Sequence, residues 1–366
     1  MHRMAGISCG LIGLPNVGKS TLFNSLTRAD AKVENYPFCT IDPNVGVVQV
    51  PDDRLRRINE VEKRPQCIPA AIEFVDIAGL VEGASRGEGR GNQFLENIRH
   101  VDLLVHVVRY FKDSNVAHVS AEPDPLEDSR VVDLELVLAD LEMTDRAIER
   151  LKKRAHSGDK DVSEVVVLLT RLRDHFNQGL PARTAQLTPV EWSRLTEYRF
   201  LTKKPLLIVA NVDEVWLTGQ RGDVQALEKK AGAEGAIVLP LCAKIEEELA
   251  ELDAEDVDIF IDELGLSDCG LNVFISECYR YLGLITFFTI GDNEVRAWTV
   301  PSGTAAPDAG GVIHTDFKDN FIRVEVISFH DFDCCKSRHE ARRRGCMRIE
   351  GKDYLVHDGD ILFFRI

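Results

Sequence analysis

The run Gly13-Leu14-Pro15-Asn16-Val17-Gly18-Lys19-Ser20 spaces two glycines, a lysine and a hydroxyl as G-x-x-x-x-G-K-S, the spacing of a loop that grips a polyphosphate. The glycines let backbone N–H groups converge on phosphate oxygens. Lys19 then reaches the β and γ phosphates, and the Ser20 hydroxyl is a ligand for Mg²⁺. Asn16, Val17, Gly18, Lys19, Ser20 and Thr21 are the candidate nucleotide contacts. Asp76-Ile77-Ala78-Gly79 has the D-x-x-G form of a nucleotide switch. There Asp76 is expected to hold Mg²⁺ through water, and the Gly79 N–H to face the γ-phosphate. Thr40, in NYPFCTIDPN, lies between these motifs, where a switch threonine closes over the metal. Ser20, Thr40 and Asp76 form the candidate metal set, and Lys19 and Gly79 the candidate catalytic groups on the phosphate.

The base is read elsewhere. Asn211-Val212-Asp213-Glu214 follows an apolar run where guanine readers carry Asn-Lys-x-Asp. An aspartate there accepts from N1–H and the 2-amino group of guanine, while the lysine stem covers the ring. Here Val212 replaces the lysine, and the extra methylene of Glu214 displaces the carboxylate. Losing a good bidentate pair removes about 1–3 kcal/mol of discrimination. Asn211 suits the N6/N7 edge of adenine, and Asp213 stands one position early for a substitute reader. Cys242-Ala243-Lys244 resembles a Ser-Ala-Lys base loop, with backbone N–H groups at the base edge. These residues predict ATP preferred over GTP, with a GTPase of the same fold as the alternative.

Ras-like enzymes orient the attacking water with a glutamine directly after D-x-x-G. Leu80 stands there and cannot hydrogen-bond, so another polar group must serve. His118, in NVAHVS, follows an apolar strand by a short segment and is the candidate. His106 lies inside that strand and reads as a core residue.

Short apolar runs at 7–12, 70–75, 103–108, 205–210 and from 237 onward alternate with helical stretches, which predicts an α/β fold with a parallel sheet covered on both faces. From Val131 to Ala155 and again over VSEVVVLLTRLRDHFNQG, apolar residues recur near helical spacing around a polar turn at Ser157-Gly158-Asp159. Two such helices make an antiparallel arm inserted between strands of one sheet. After Tyr281 the runs 284–290, 295–300, 321–327 and 361–366 are β-branched and aromatic, separated by turns such as PSGTAAPDAGG. The expected segments are a nucleotide-binding domain over 1–130 and 201–282, a helical insertion over 131–200, and a small β-rich domain over 283–366.

The 366 residues carry a formal net charge of −16, which argues against unspecific nucleic-acid binding by the whole surface. Two basic stretches stand against that background: RAIERLKKR (146–154), with Arg171 and Arg173, and KSRHEARRR (336–344). Together they predict a localised polyanion contact on RNA, with no DNA specificity. No run of about 18 apolar residues exists, so no membrane span is expected. Nine scattered cysteines without zinc spacing read as reduced thiols of a cytoplasmic protein.

The set GLPNVGKSTLFN, NYPFCTIDPN, DIAGLVEGAS, IHTDFKDNFIRVEVIS and GKDYLVHDGD resembles the YchF/Obg-like ATPase family of P-loop proteins over nearly the whole chain. The resemblance implies an OBG-type G domain, a coiled-coil insertion and a C-terminal TGS domain. It also implies ATP hydrolysis with Mg²⁺, association with ribosomes or ribosomal RNA, and the same N-x-x-E departure with ATP preference. Related GTPases with an asparagine in the phosphate loop use it to help hold K⁺, which makes K⁺ a candidate cofactor at Asn16. A binding module with negligible hydrolysis is the remaining alternative.

Overall fold

β1 (Ser8–Ile12) is buried along its whole length, as a five-residue apolar run must be when both faces of its sheet are covered. It is followed by α1 (Lys19–Asp30), β2 (Val45–Gln49), α2 (Asp53–Glu62), β3 (Gln66–Ile68), β4 (Ala71–Asp76), α3 (Arg90–His100) and β5 (Leu103–Arg109). Next come α4 (Pro125–His156), α5 (Lys160–Phe176), α6 (Pro189–Ser193), β6 (Leu206–Asn211), α7 (Glu214–Leu217), α8 (Gln225–Ala233), β7 (Ile237–Leu241), α9 (Ala243–Leu249), α10 (Ala254–Glu263) and α11 (Gly270–Tyr281). The chain ends with β8 (Leu284–Ile290), β9 (Glu294–Pro301), α12 (Ala306–Ile313), α13 (Thr315–Asp319), β10 (Arg323–Ser328), α14 (Phe329–Cys335), α15 (Arg338–Arg343), β11 (Arg348–Glu350) and β12 (Asp360–Arg365). The computed structural model describes residues 7–30, 44–77, 90–113, 116, 123–156, 159–217, 224–252, 254–263, 265 and 268–366.

Two compact units divide these elements. One gathers 7–46 and 74–271, the other 1–6, 47–73 and 272–366. The nucleotide-type sheet has the order β2-β4-β1-β5-β6-β7, and β1, β5, β6 and β7 pair in parallel. The strands expected from apolar runs are β1, β4, β5, β6 and β7. All seven residues of β5 are buried, and Leu11, Phe74, Leu104, Val105 and Leu207 have no exposure.

The helical arm forms where its periodicity places it. α4 runs 32 residues and α5 17, and Asp159 caps α5 by accepting from the Val162 N–H. Their facing apolar residues include Val137, Ile148, Leu151, Leu169, Leu172 and Phe176, and the following segment returns Leu195, Tyr198 and Phe200 to the same cluster. Asp140, fully buried on α4, fastens that return. Its carboxylate accepts from Leu201 N (2.9 Å), Thr202 N (2.9 Å) and Thr202 Oγ1 (2.7 Å). Burial pushes the Asp140 carboxyl up, and the bonds from Thr202 and Leu201 oppose that rise.

The second sheet, β11-β10-β12-β8-β9-β3, belongs to the other unit. β8 pairs antiparallel with β9, β10 antiparallel with β11 and β12, and β3 parallel with β9. This half is more helical than its β-branched runs suggest. PSGTAAPDAGG reads as a turn, yet Ala306–Ile313 is helix, with proline in its first turn. Gly310 sits there because a Cβ would meet Phe317 and Phe364 at 3.1 Å. α2, an early segment, docks within this unit. Arg54 donates to Asp358 at 2.6 Å and its guanidinium lies over the Phe288 ring, while Arg57 pairs with Asp333.

Candidate functional site

The phosphate loop joins β1 to α1, and its backbone needs two glycines for separate reasons. Gly13 has φ +156, and a Cβ would stand 2.6 Å from the Val107 carbonyl oxygen, a backbone atom of β5 that cannot yield. Gly18 has φ +92, and a Cβ would stand 2.1 Å from Asn211 Nδ2. Asn16 has φ 61, a left-handed conformation that asparagine tolerates better than most residues. Val17 is buried, and Leu22 N donates to Gly18 O at 3.0 Å to start α1. The loop therefore ends at a helix N-terminus, where free N–H groups and the helix dipole favour an anion.

Lys19 and Asp76 meet across this loop. Lys19 Nζ lies 2.6 Å from Asp76 Oδ1, and Ser20 Oγ donates to Asp76 Oδ2 at 3.3 Å. One cation, one carboxylate and one hydroxyl thus converge beside the N-terminus of α1. An oxygen set of one carboxylate and one hydroxyl fits Mg²⁺, which is held by one or two carboxylates together with substrate phosphates. Thr21 follows in α1, and its carbonyl accepts from Ser25 Oγ at 2.9 Å. Thr40, Gly79, Leu80 and His118 lie outside the described residues.

Asn211 closes β6 and has a double attachment. Its Nδ2 donates to the Val17 carbonyl at 2.9 Å, and its Oδ1 accepts from Ala243 N at 3.0 Å. The side chain, 4% exposed, ties the phosphate loop to the loop after β7. One amide hydrogen and one lone pair are left over. Adenine recognition is the role expected of Asn211, and the bridge is a further role that leaves those two positions unused.

Val212 faces inward. Its side chain is 2% exposed and packs with Ala210, Val224, Cys242, Ile245 and Leu249, so it does not occupy the place of a ring-covering stem. The reason is local: Val212 N donates to Leu241 O, which continues the β6–β7 pairing by one residue and turns the side chain inward. Asp213 accepts from Trp216 N at 3.0 Å with Oδ1 and so belongs to the start of α7. Glu214 pairs with Lys244 at 2.7 Å, both side chains being exposed, and the bond raises the Lys244 ammonium. Cys242 and Ala243 are buried at the start of α9, and burial pushes the Cys242 thiol up.

Arg109 escaped sequence reasoning. It ends β5 at 2% exposure, and its guanidinium donates to the carbonyls of Phe111 (3.3 Å), Asp113 (2.9 Å) and Val116 (3.1 Å). It also lies over the Phe111 ring at 4.4 Å. Three carbonyls satisfied by one planar cation hold the chain that leads away from β5 beside the phosphate loop. A charged residue closing an otherwise apolar strand was the only signal available. His106, read as a core residue, is indeed buried, but among the described residues its Nδ1 has no hydrogen-bond partner.

Several cations of the basic stretches pair with their own neighbours. Arg146 pairs with Glu142, Lys152 with Glu149, Arg154 with Asp159 and Arg171 with Glu191. In the other unit Arg338 and Arg342 share Glu325, and Arg343 and Arg344 share Glu340.

Residues 8–166 match the family described as "50S ribosome-binding GTPase", and residues 284–366 match the YchF GTPase C-terminal family, described as "Protein of unknown function (DUF933)". The chain is 46% identical to a protein of Bacillus subtilis named "Ribosome-binding ATPase YchF" over 98% of its own length and 99% of the relative's. A protein of the same name from Escherichia coli O157:H7 is 47% identical, with 98% and 99% covered. Among solved structures, the Schizosaccharomyces pombe YchF GTPase superposes with a TM-score of 0.88 at 32% identity, covering 100% of this chain and 99% of that one.

Proposed function

The chain belongs to the YchF family, and from that premise we propose that it is a Mg²⁺-dependent hydrolase that prefers ATP to GTP and whose nucleotide state governs its hold on the ribosome. Relatives 46% and 47% identical to it are named ribosome-binding ATPases. Residues 1–130 with 201–282 would bind nucleotide, 131–200 form the helical arm, and 283–366 the TGS domain of a cytoplasmic protein. The observation that carries the reading is the convergence of Lys19, Ser20 and Asp76 at the N-terminus of α1.

Chemistry follows from those positions. The loop N–H groups and Lys19 take the phosphates, and Lys19 offsets charge that builds on the transferred phosphoryl group. Mg²⁺, held by Ser20, Asp76 and Thr40, would neutralise phosphate oxygens. The Gly79 N–H would face the γ-phosphate and His118 would orient the attacking water, since Leu80 cannot. Asn16 would help to hold K⁺. For the base, support comes from Glu214: its carboxylate is one methylene longer than a guanine reader's and is already joined to Lys244. The test is direct competition of labelled ATP and GTP at equal concentration, with and without ribosomes. ATP is expected to bind several-fold tighter, as the loss of a bidentate base contact worth about 1–3 kcal/mol implies. Tighter GTP binding would overturn the base assignment, and ribosome association insensitive to both salt and nucleotide would overturn the switch.

A further inference from the structure

A second cluster of cations lies away from the phosphate loop, where the root of the helical arm meets the segment that returns from it. A cavity of about 360 Å³ is walled by Arg99 at the end of α3, Arg146 and Arg150 on α4, and Glu197, Tyr198 and Arg199 on the returning segment. Four guanidinium groups face one lining carboxylate. Arg146 is paired with Glu142, and Arg99 reaches Glu96 only at 3.8 Å. Among the described residues no carboxylate forms an ion pair with Arg150 or Arg199. Like charges gathered this way in a chain of net charge −16 repel one another until an anion joins them.

Two further observations mark the place. The Tyr198 side chain is 6% exposed, and its buried hydroxyl has Arg150 and Glu197 as its polar neighbours. Burial, reinforced by the Glu197 carboxylate, pushes this phenol up to about 12, so it remains a protonated donor at neutral pH. Arg199 has φ 44, a left-handed conformation unfavourable for a residue with a side chain. Glycine or asparagine would be cheaper there, and the chain keeps an arginine.

We propose that this cavity is a phosphate-binding site, separate from the nucleotide site, in which Arg99, Arg146, Arg150 and Arg199 clasp a phosphate group against Tyr198. Guanidinium groups are suited to it, because their planar forks match phosphate oxygens two at a time. The cavity is open to a phosphate carried by an RNA backbone or by a free phosphorylated molecule. The site lies within the unit of residues 7–46 and 74–271 and does not depend on the proposed function.

Pyrophosphate is the probe. The full chain, with its phosphate loop saturated by a non-hydrolysable ATP analogue and Mg²⁺, is titrated with pyrophosphate by calorimetry at low salt. One saturable site is expected. Arg150→Gln with Arg199→Gln should weaken it about tenfold or more, and Tyr198→Phe several-fold. Arg130→Gln, an exposed arginine outside the cavity, should leave it unchanged. Analogue affinity, read on the same preparations, reports the nucleotide site independently, and thermal melts confirm that each variant is folded. Absence of saturable binding, or equal affinity in wild type and the Arg150/Arg199 double variant, overturns the proposal. Displacement of pyrophosphate by a short single-stranded RNA assigns the phosphate to a nucleic acid. Retention in the presence of that RNA assigns it to a free ligand.

Discussion

Replacing Asn211 with alanine tests the bridge between the two nucleotide loops. The substitution strands two partners that the structure buries, the Val17 carbonyl and the Ala243 N–H, which now bond to Nδ2 and Oδ1 at 2.9 and 3.0 Å. Each unpaired buried polar group costs about 1–3 kcal/mol, so Asn211→Ala should remove about 2–6 kcal/mol, toward the lower figure if water enters the space. That is a large part of the roughly 5–15 kcal/mol by which a folded domain is stable. Asn211→Asp separates the two bonds: its carboxylate still accepts from Ala243, but the other oxygen then faces the Val17 carbonyl oxygen. Both variants should lose ATP affinity, because Val17 sits within the phosphate loop. The assay is urea denaturation followed by tryptophan fluorescence, paired with nucleotide titration. An unchanged midpoint at unchanged slope in Asn211→Ala, with unchanged ATP affinity, would refute the bridge.

Gly18→Ala should abolish nucleotide binding in the same titration, since its Cβ would lie 2.1 Å from Asn211 Nδ2 at φ +92; retained affinity would show that the loop can be re-formed. Burial lowers the pKa of His106 to about 4, so above its unfolded value near 6.5 the histidine is neutral in both states. As pH falls from about 6.5 to about 4, only the unfolded chain gains the proton, and stability should drop by about 3 kcal/mol. His106→Leu should flatten that acid limb in denaturation midpoints measured from pH 7.5 to 5. In the C-terminal unit, Glu325 accepts from Arg338 (2.7 Å), Arg342 (3.2 Å) and Arg365 (3.5 Å). Glu325→Gln should destabilise this unit by about 1.5–3 kcal/mol, read by the loss of Trp298 signal at lower urea.

The parallel sheet was legible because β1, β5 and β6 are buried on both faces and so are written as unbroken apolar runs. The phosphate loop was legible because its chemistry is carried by consecutive residues. The roles of Asn211 and Val212 were not, because both are set by partners far along the chain. Asn211 is occupied by Val17 and Ala243, and Val212 is turned inward by its bond to Leu241. A motif compared position by position does not announce such partners. The partner of the basic stretch at 336–344 was hidden in the same way: Glu325 lies before it in sequence and only β10 brings it beneath Arg338 and Arg342. α12 was hidden by its glycines, which pack against Phe317 and Phe364 (Gly310) and Lys318 (Gly311) as no local pattern announces.

β3 carries a consequence for the chain as it is made. Gln66, Cys67 and Ile68 pair with Glu294, Val295 and Arg296, and α2 just before them is anchored by Asp333 and Asp358. At roughly 5–20 residues per second, a nascent chain waits on the order of ten to fifty seconds between making β3 and making its partner strand. Throughout that interval, residues 53–68 are without their partners while residues needed for the nucleotide-type sheet accumulate around them. A fragment that stops before residue 284 leaves them so permanently. Any attempt to express the nucleotide-binding half alone should therefore replace 53–68 while keeping β2 and β4, and aggregation of a simple 1–283 truncation would have its origin in that stranded segment.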